Sequence, residues 1–144
     1  MPIIPSSIIA LDVGAKRVGV ASASLIARLP RPLTTLTQDE NFFSELQKLI
    51  DSEEPAAIVV GLPRGLDGQH TAQTVASENF VDKLRQHTDL PVHFQDEALT
   101  SVKAKDELEA RRKPYQRGDV DALAATYILS DFLADPRNTQ ELKT

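Results

Sequence analysis

The chain contains no cysteine. Disulfides and thiolate metal sites are therefore excluded, and an intracellular location is the expectation. No apolar stretch is long enough to span a membrane, and no signal peptide is visible at Met1-Pro2. An excess of positive charge is also missing: 16 Lys and Arg stand against 21 Asp and Glu, a formal net charge of −5. Nucleic-acid binders are more often basic, so such binding here needs a local patch rather than the overall charge. The sequence contains one candidate patch. Arg111, Arg112, Lys113 and Arg117 form a basic cluster with no acid among them before Asp119, whereas acids concentrate in residues 39–54 and at the C-terminal end. Neither an internal repeat nor an interdomain linker is visible.

What is present points to a globular α/β chain. With 144 residues, 41% hydrophobic and 26% charged, the expectation is one domain over 1–144, large enough to bury a real core. Residues 8–11 and 18–23 are short apolar runs separated by a turn, read as an antiparallel hairpin. Residues 32–36 supply a third strand, with Pro30 and Pro32 at its irregular start. Phe42, Phe43, Leu46, Leu49 and Ile50 recur at helical spacing, with Asp39 as N-cap. Residues 57–60 read as a buried parallel strand, 61–69 as a loop, 71–86 as a helix and 91–94 as a strand. Thr100 caps a charged helix through about Arg112. Val120, Leu123, Ala124, Tyr127, Ile128 and Phe132 mark the best helix, 119–133, with Asp119 as its N-cap. A polar tail from about 135 is expected to fray. The layout is a five-stranded mixed sheet, three strands antiparallel and two reached by right-handed crossovers, flanked by helices.

Asp12 stands out against this frame, because it closes the run Ile8-Ile9-Ala10-Leu11 at a point where an unpaired charge is costly to bury. A metal ion or a positive neighbour would justify it. Glu97 after a later strand and Asp121 on the last helix are further carboxylates that can converge on Asp12. Three such oxygen donors suit one or two hard divalent ions, Mg²⁺ or Mn²⁺. Taken singly, Asp96, Glu97, Asp119 and Asp121 are each explained by the favourable field at a helix N-terminus, and Asp119 is assigned that structural role. Gly14 to Gly19 has the glycine spacing of a P-loop, but Val20-Ala21 replace the required Lys and Ser/Thr, so a hairpin turn is the reading. Lys16 and Arg17 in that turn lie where a phosphate can approach Asp12. Gly61-Leu-Pro-Arg-Gly-Leu-Asp-Gly68 is a strand-to-helix loop whose Arg64 adds a second positive group. Lys16, Arg17, Arg64 and the cluster Arg111, Arg112, Lys113 and Arg117 together form the expected substrate-binding rim. His70, His87 and His93 are alternatives for general-base duty, and their spacing fits no zinc motif.

Four segments carry a family resemblance: Leu11 to Ala21, Val60 to Gly68, Asp96-Glu-Ala-Leu-Thr-Ser101 and Asp121-Ala-Leu-Ala-Ala125. In this order, and spanning nearly the whole chain, they resemble the signature blocks of the YqgF/RuvX family, whose members are described as Holliday junction resolvases and as pre-16S rRNA nucleases. The resemblance implies a ribonuclease H-like fold. It also implies a metal-dependent phosphodiesterase with Asp12, Glu97 and Asp121 as its acidic triad. Cytoplasmic work on precursor rRNA, with ribosome association, is implied too; a four-way DNA junction is the alternative substrate. One position departs from the pattern: Ala98 stands where the family usually has Arg after the Asp-Glu pair, which removes a positive contact to substrate phosphate.

Two other classes share parts of this pattern. An ATPase of the actin and sugar-kinase type also has an Asp-x-Gly turn after its first strand, but encloses nucleotide between two domains, for which 144 residues are too few. A non-catalytic nucleic-acid or ribosome-binding module would not keep three acids that repel phosphate unless a metal lies between them.

Overall fold

The computed structural model describes residues 7–63, 70–97 and 100–138. The hairpin forms from β1 (Ser7–Val13) and β2 (Arg17–Ser24), and β3 (Arg31–Thr37) pairs antiparallel with β2. After α1 (Phe42–Glu53) comes β4 (Pro55–Pro63), parallel to β1; after α2 (Ala72–His87) comes β5 (Val92–Glu97), parallel to β4. Two helices follow, α3 (Thr100–Ala110) and α4 (Arg117–Ala134). The strand order is β3-β2-β1-β4-β5, the mixed five-stranded sheet expected from the alternation of elements.

Side chains alternate across the sheet, and both faces are covered. Ile9, Leu11, Val18, Val20, Ile58 and Val60 join Phe42, Leu46, Val81 and Leu84 in one core layer. Ile8, Ala10, Ala21, Ala23 and Val59 face the other way and pack on Ala125, Ile128, Leu129 and Phe132 of α4. Burial on both faces explains why these strands read as continuous apolar runs rather than as polar–apolar alternation. Along β1 the even positions face α4, so Asp12 points to that layer.

Strand and helix ends differ from the sequence reading in an instructive way. β1 and β2 run to Val13 and Arg17, closed by Gly14 N–H donating to the Arg17 carbonyl at 2.8 Å. Asp12 therefore lies inside the strand, opposite Gly19. β4 runs on to Pro63 and β5 to Glu97, paired with each other at their last residues. Residues 61–63 are thus strand rather than loop, and Glu97 belongs to the strand. Ladder hydrogen bonds use only backbone groups and continue past the apolar residues that signal a strand. α4 starts at Arg117, with Gln116 as N-cap; Asp119 is its third residue, and its carboxylate accepts from the Gln116 N–H at 2.9 Å. Asp119 is thus the acidic half of a capping box, not the cap itself. Asp39 likewise sits before the α1 cap, Asn41, and accepts its N–H at 2.9 Å. The start of the polar tail is described: Asn138 Nδ2 donates to the Phe132 carbonyl at 2.9 Å.

α4 crosses the whole sheet. Its first turn lies on β3, where Thr35 Oγ1 donates to the Gly118 carbonyl at 2.5 Å. The backbone of Asp121 then rests on Gly19 of β2, Ile128 rests on Gly61 of β4, and the Phe132 ring lies 5.6 Å from His93 of β5. α3 packs on its outer side through Ala104, Leu123 and Ala124. A Cβ on Gly19 would stand 2.7 Å from the Ala122 nitrogen and overlap the Asp121 carbonyl. Only glycine permits that approach.

Candidate active site

That approach brings two acids together. Asp12 pairs with Gly19 in the ladder, and Asp121 lies over Gly19. Both carboxylates therefore occupy the α4 side of the sheet at the C-terminal end of β1. Burial, with the charge of Asp121 added, pushes the Asp12 carboxyl up to about 7. Asp121 itself is held by Arg17, whose Nε lies 2.8 Å from Oδ2, with both side chains partly buried. Arg17, expected on the substrate-facing rim, is thus an ion-pair partner of a site acid.

Glu97 closes β5 on the same edge and the same face. It lies two strands from Asp12 and about two residues further along, roughly 12 Å between Cα positions. Its nearest acidic neighbour is Asp131 of α4. Burial first, then a hydrogen bond and charge shared with Asp131, raise the Glu97 carboxyl to about 8; Lys103 works against this, and Asp12 adds to it. Two carboxyls can share a hydrogen bond only when one of them carries a proton. Glu97 Oε1 is buried with no hydrogen-bond partner. The structure thus brings Asp12 and Asp121 together and places Glu97 within electrostatic reach of Asp12. Among the described residues it gathers no three His, Cys, Asp or Glu side chains into one ready-made metal group.

Asp131 and Lys103 are parts of this site that sequence reasoning missed. Asp131 lies one turn beyond Ile128, and an isolated acid there reads as ordinary helix surface. Lys103 sits on α3 with its Nζ 4.6 Å from the centre of the Tyr127 ring, a cation–π contact; it is separable from the other lysines only once α3 is docked.

The expected basic residues are spread around Asp121. Lys16 is exposed in the β1–β2 turn. Arg111, Arg112 and Lys113 are exposed where α3 ends, and Arg117 is the exposed first residue of α4, one turn before Asp121. Arg112 adopts a left-handed conformation, φ 55°, which ends α3 and turns the chain back toward β3. Arg64 and Ala98 lie outside the described residues. The histidines are engaged elsewhere: His70 Nε2 lies 2.7 Å from Glu78 Oε1, His87 stacks on Phe43 with ring centres 3.8 Å apart, and His93 packs on Phe132.

No helix among the described residues is long and apolar enough to cross a membrane. The fold matches that of a solved structure, Thermus thermophilus RuvC in complex with a Holliday junction substrate. The TM-score is 0.51 over 92% of this chain and 97% of that one, at 14% identity; the architecture is ribonuclease H-like. Sequence relatives are closer. A protein of Nitratidesulfovibrio vulgaris named "Putative pre-16S rRNA nuclease" is 38% identical over 136 residues, covering 92% of this chain and 96% of its own. A protein of the same name from Pseudomonas putida is 37% identical over 131 residues, covering 88% and 93%. The family model described as RuvX, Holliday junction resolvase, matches residues 6–135. With that match and these relatives spanning nearly its whole length, the chain belongs to the RuvX family.

Proposed function

We propose that this chain is a nuclease that hydrolyses phosphodiester bonds with the help of a divalent cation, and that precursor 16S rRNA is its substrate. The observation that carries the reading is the partly buried Asp12 carboxyl set against Asp121, with Arg17 ion-paired to Asp121. Buried like charges are costly, and a divalent cation between oxygen donors removes that cost. The orphaned Glu97 Oε1 fits the same group, because Mg²⁺ and Mn²⁺ take oxygen ligands. Asp12 and Asp121 would hold the ion, and Glu97 would complete the oxygen set from β5. Such an ion supplies a lowered pKa for the attacking water and charge stabilisation on the phosphate.

The residues of this chain do the rest. Asp121 is brought to Asp12 by the seat of α4 on Gly19, and its carboxylate is ion-paired with Arg17. Lys16, Arg111, Arg112, Lys113 and Arg117 supply positive charge on either side of Asp121, where a polyanion can lie despite the net charge of −5. A nuclease of precursor rRNA would work in the cytoplasm and would meet its substrate on an assembling ribosomal particle.

The test is cleavage of labelled precursor 16S rRNA and of a four-way DNA junction, side by side, with Mg²⁺ or Mn²⁺ and with chelator. Wild type should cut the RNA only with metal, and Asp12→Asn should not cut it. Cleavage that survives chelation or loss of Asp12 overturns the metal reading. The family model's description favours the junction as a second reading, and cutting of the junction with no action on RNA would establish that substrate instead.

A further inference from the structure

A cavity of about 560 Å³ opens beside the site, between β3, the end of α3 and the first turns of α4. Its volume falls within the range that encloses a small ligand, about 300–1,000 Å³. Its lining divides by chemistry. Pro32, Leu33, Leu108 and Leu123 form apolar wall, Tyr115 contributes an aromatic ring, Arg111 and Lys113 supply positive charge, and Asp119, the one acid among the described lining residues, accepts from the Gln116 N–H.

Three features identify what such a cavity takes. The Tyr115 ring lines the cavity, while its hydroxyl donates to Glu109 Oε1 at 3.0 Å in an exposed hydrogen bond. An aromatic ring next to apolar wall offers a flat surface on which a planar base stacks. Among the described residues Arg111 pairs with Glu107 alone, at 3.4 Å and exposed, and Lys113 has no ion-pair partner; both are available to an anion. The position is also specific. Thr35 in the lining pairs with Gly19, and Gly19 pairs with Asp12. One row across three strands therefore links the cavity to the site acid, two strand spacings or roughly 10 Å away.

We propose that this cavity is a subsite for one unpaired nucleotide flanking the reacting phosphate. The base stacks on Tyr115 against the apolar wall, and its phosphate lies at Arg111 and Lys113. The proposal rests on the nuclease reading for its substrate and adds a selection: the strand must be single there, because a base inside a duplex has no free face to stack. RNA and DNA share this chemistry, and the two are separate arms of the test.

The experiment measures binding of fluorescein-labelled oligonucleotides in excess chelator, so that neither metal nor cleavage enters the readout. The probes are single-stranded RNA, single-stranded DNA and a duplex of each. Wild type should prefer the single strands. Tyr115→Ala should weaken single-strand binding roughly 10- to 100-fold and leave duplex binding unchanged, and Tyr115→Phe should restore it. Equal loss on single strand and duplex, or no loss, overturns the subsite. A loss confined to RNA or to DNA names the polymer. A second measurement needs no variant: wild type is photo-crosslinked to single strands carrying 5-iodouracil, and the attachment site is mapped. Attachment at Tyr115 supports the subsite; attachment only at other residues overturns it. Failure of the nuclease reading would appear separately, as Tyr115-dependent binding without metal-dependent cleavage.

Discussion

Gly19 and Asp121 are in backbone contact: the carbonyl of Asp121 occupies the space that a Cβ on Gly19 would fill. Since Gly19 is also the ladder partner of Asp12, this contact sets the distance between the two acids. In Gly19→Ala the obstacle is helix backbone, which cannot rotate away as a side chain can. The substitution should cost about 3 kcal/mol, the upper part of the usual range for overpacking. It should also move Asp121 off Asp12 and remove cleavage. Urea unfolding and a cleavage assay check both; unchanged stability and activity in Gly19→Ala would show that α4 is free to lift.

Asp12 links the site to pH. Its carboxyl titrates at about 7 in the fold against an ordinary value of 3.8, so between these values the folded chain holds a proton that the unfolded chain has released. Stability from this group is fully present below about pH 4 and lost as pH rises through about 7. Asp12→Asn cannot ionise and keeps it. The stability difference between Asp12→Asn and wild type, measured by denaturant unfolding in chelator, should be near zero at pH 4. It should grow to about 1–3 kcal/mol at pH 8, after allowance for water reaching the site. A difference that does not change with pH would mean that Asp12 ionises freely in the fold.

A metal ion at the proposed site would compete with Arg17 for Asp121. Replacing Arg17 with Met should tighten Mn²⁺ binding several-fold in calorimetric titration, while lowering stability by no more than about 1 kcal/mol, because the pair is partly exposed. Weaker Mn²⁺ binding would show instead that Arg17 positions Asp121 for the ion.

The α3–α4 cluster should be visible in salt dependence. Neutralising Arg111, Arg112 and Lys113 together removes three positive charges, and the slope of log K against log salt for single-stranded RNA should fall by about 2. An unchanged slope would make these residues solvated surface.

Much of the architecture is legible from local pattern. The apolar runs at 8–11, 18–23 and 57–60 mark strands because each is buried on both faces, and Ile128 and Phe132 mark α4 because they share the helix face that packs on the sheet. Ends are less legible. Glu97 joins β5, and 61–63 join β4, through backbone hydrogen bonds that leave no trace in side-chain type. Asp119 offered the right chemistry for a helix start, yet the capping box places it three residues inside. Of the candidate site acids, Asp12, Glu97 and Asp121 stand out in the sequence beside apolar runs and within the family blocks, while Asp131 does not, because nothing local separates it from any exposed helix acid.

The sequence by itself determined the periods: which residues build strands, which build helices, which faces are apolar, and that acids and a basic cluster sit where elements end. Those are short-range properties, decided by φ/ψ preference and by side-chain repeat. Only the tertiary structure decided distances between elements. Register put Asp12 opposite Gly19, the missing Cβ let α4 settle there, and the diagonal course of α4 then set Asp121 beside Asp12 and Asp131 beside Glu97. Residues more than a hundred positions apart meet through packing, and packing depends on volumes and close approaches that no single segment of the chain encodes.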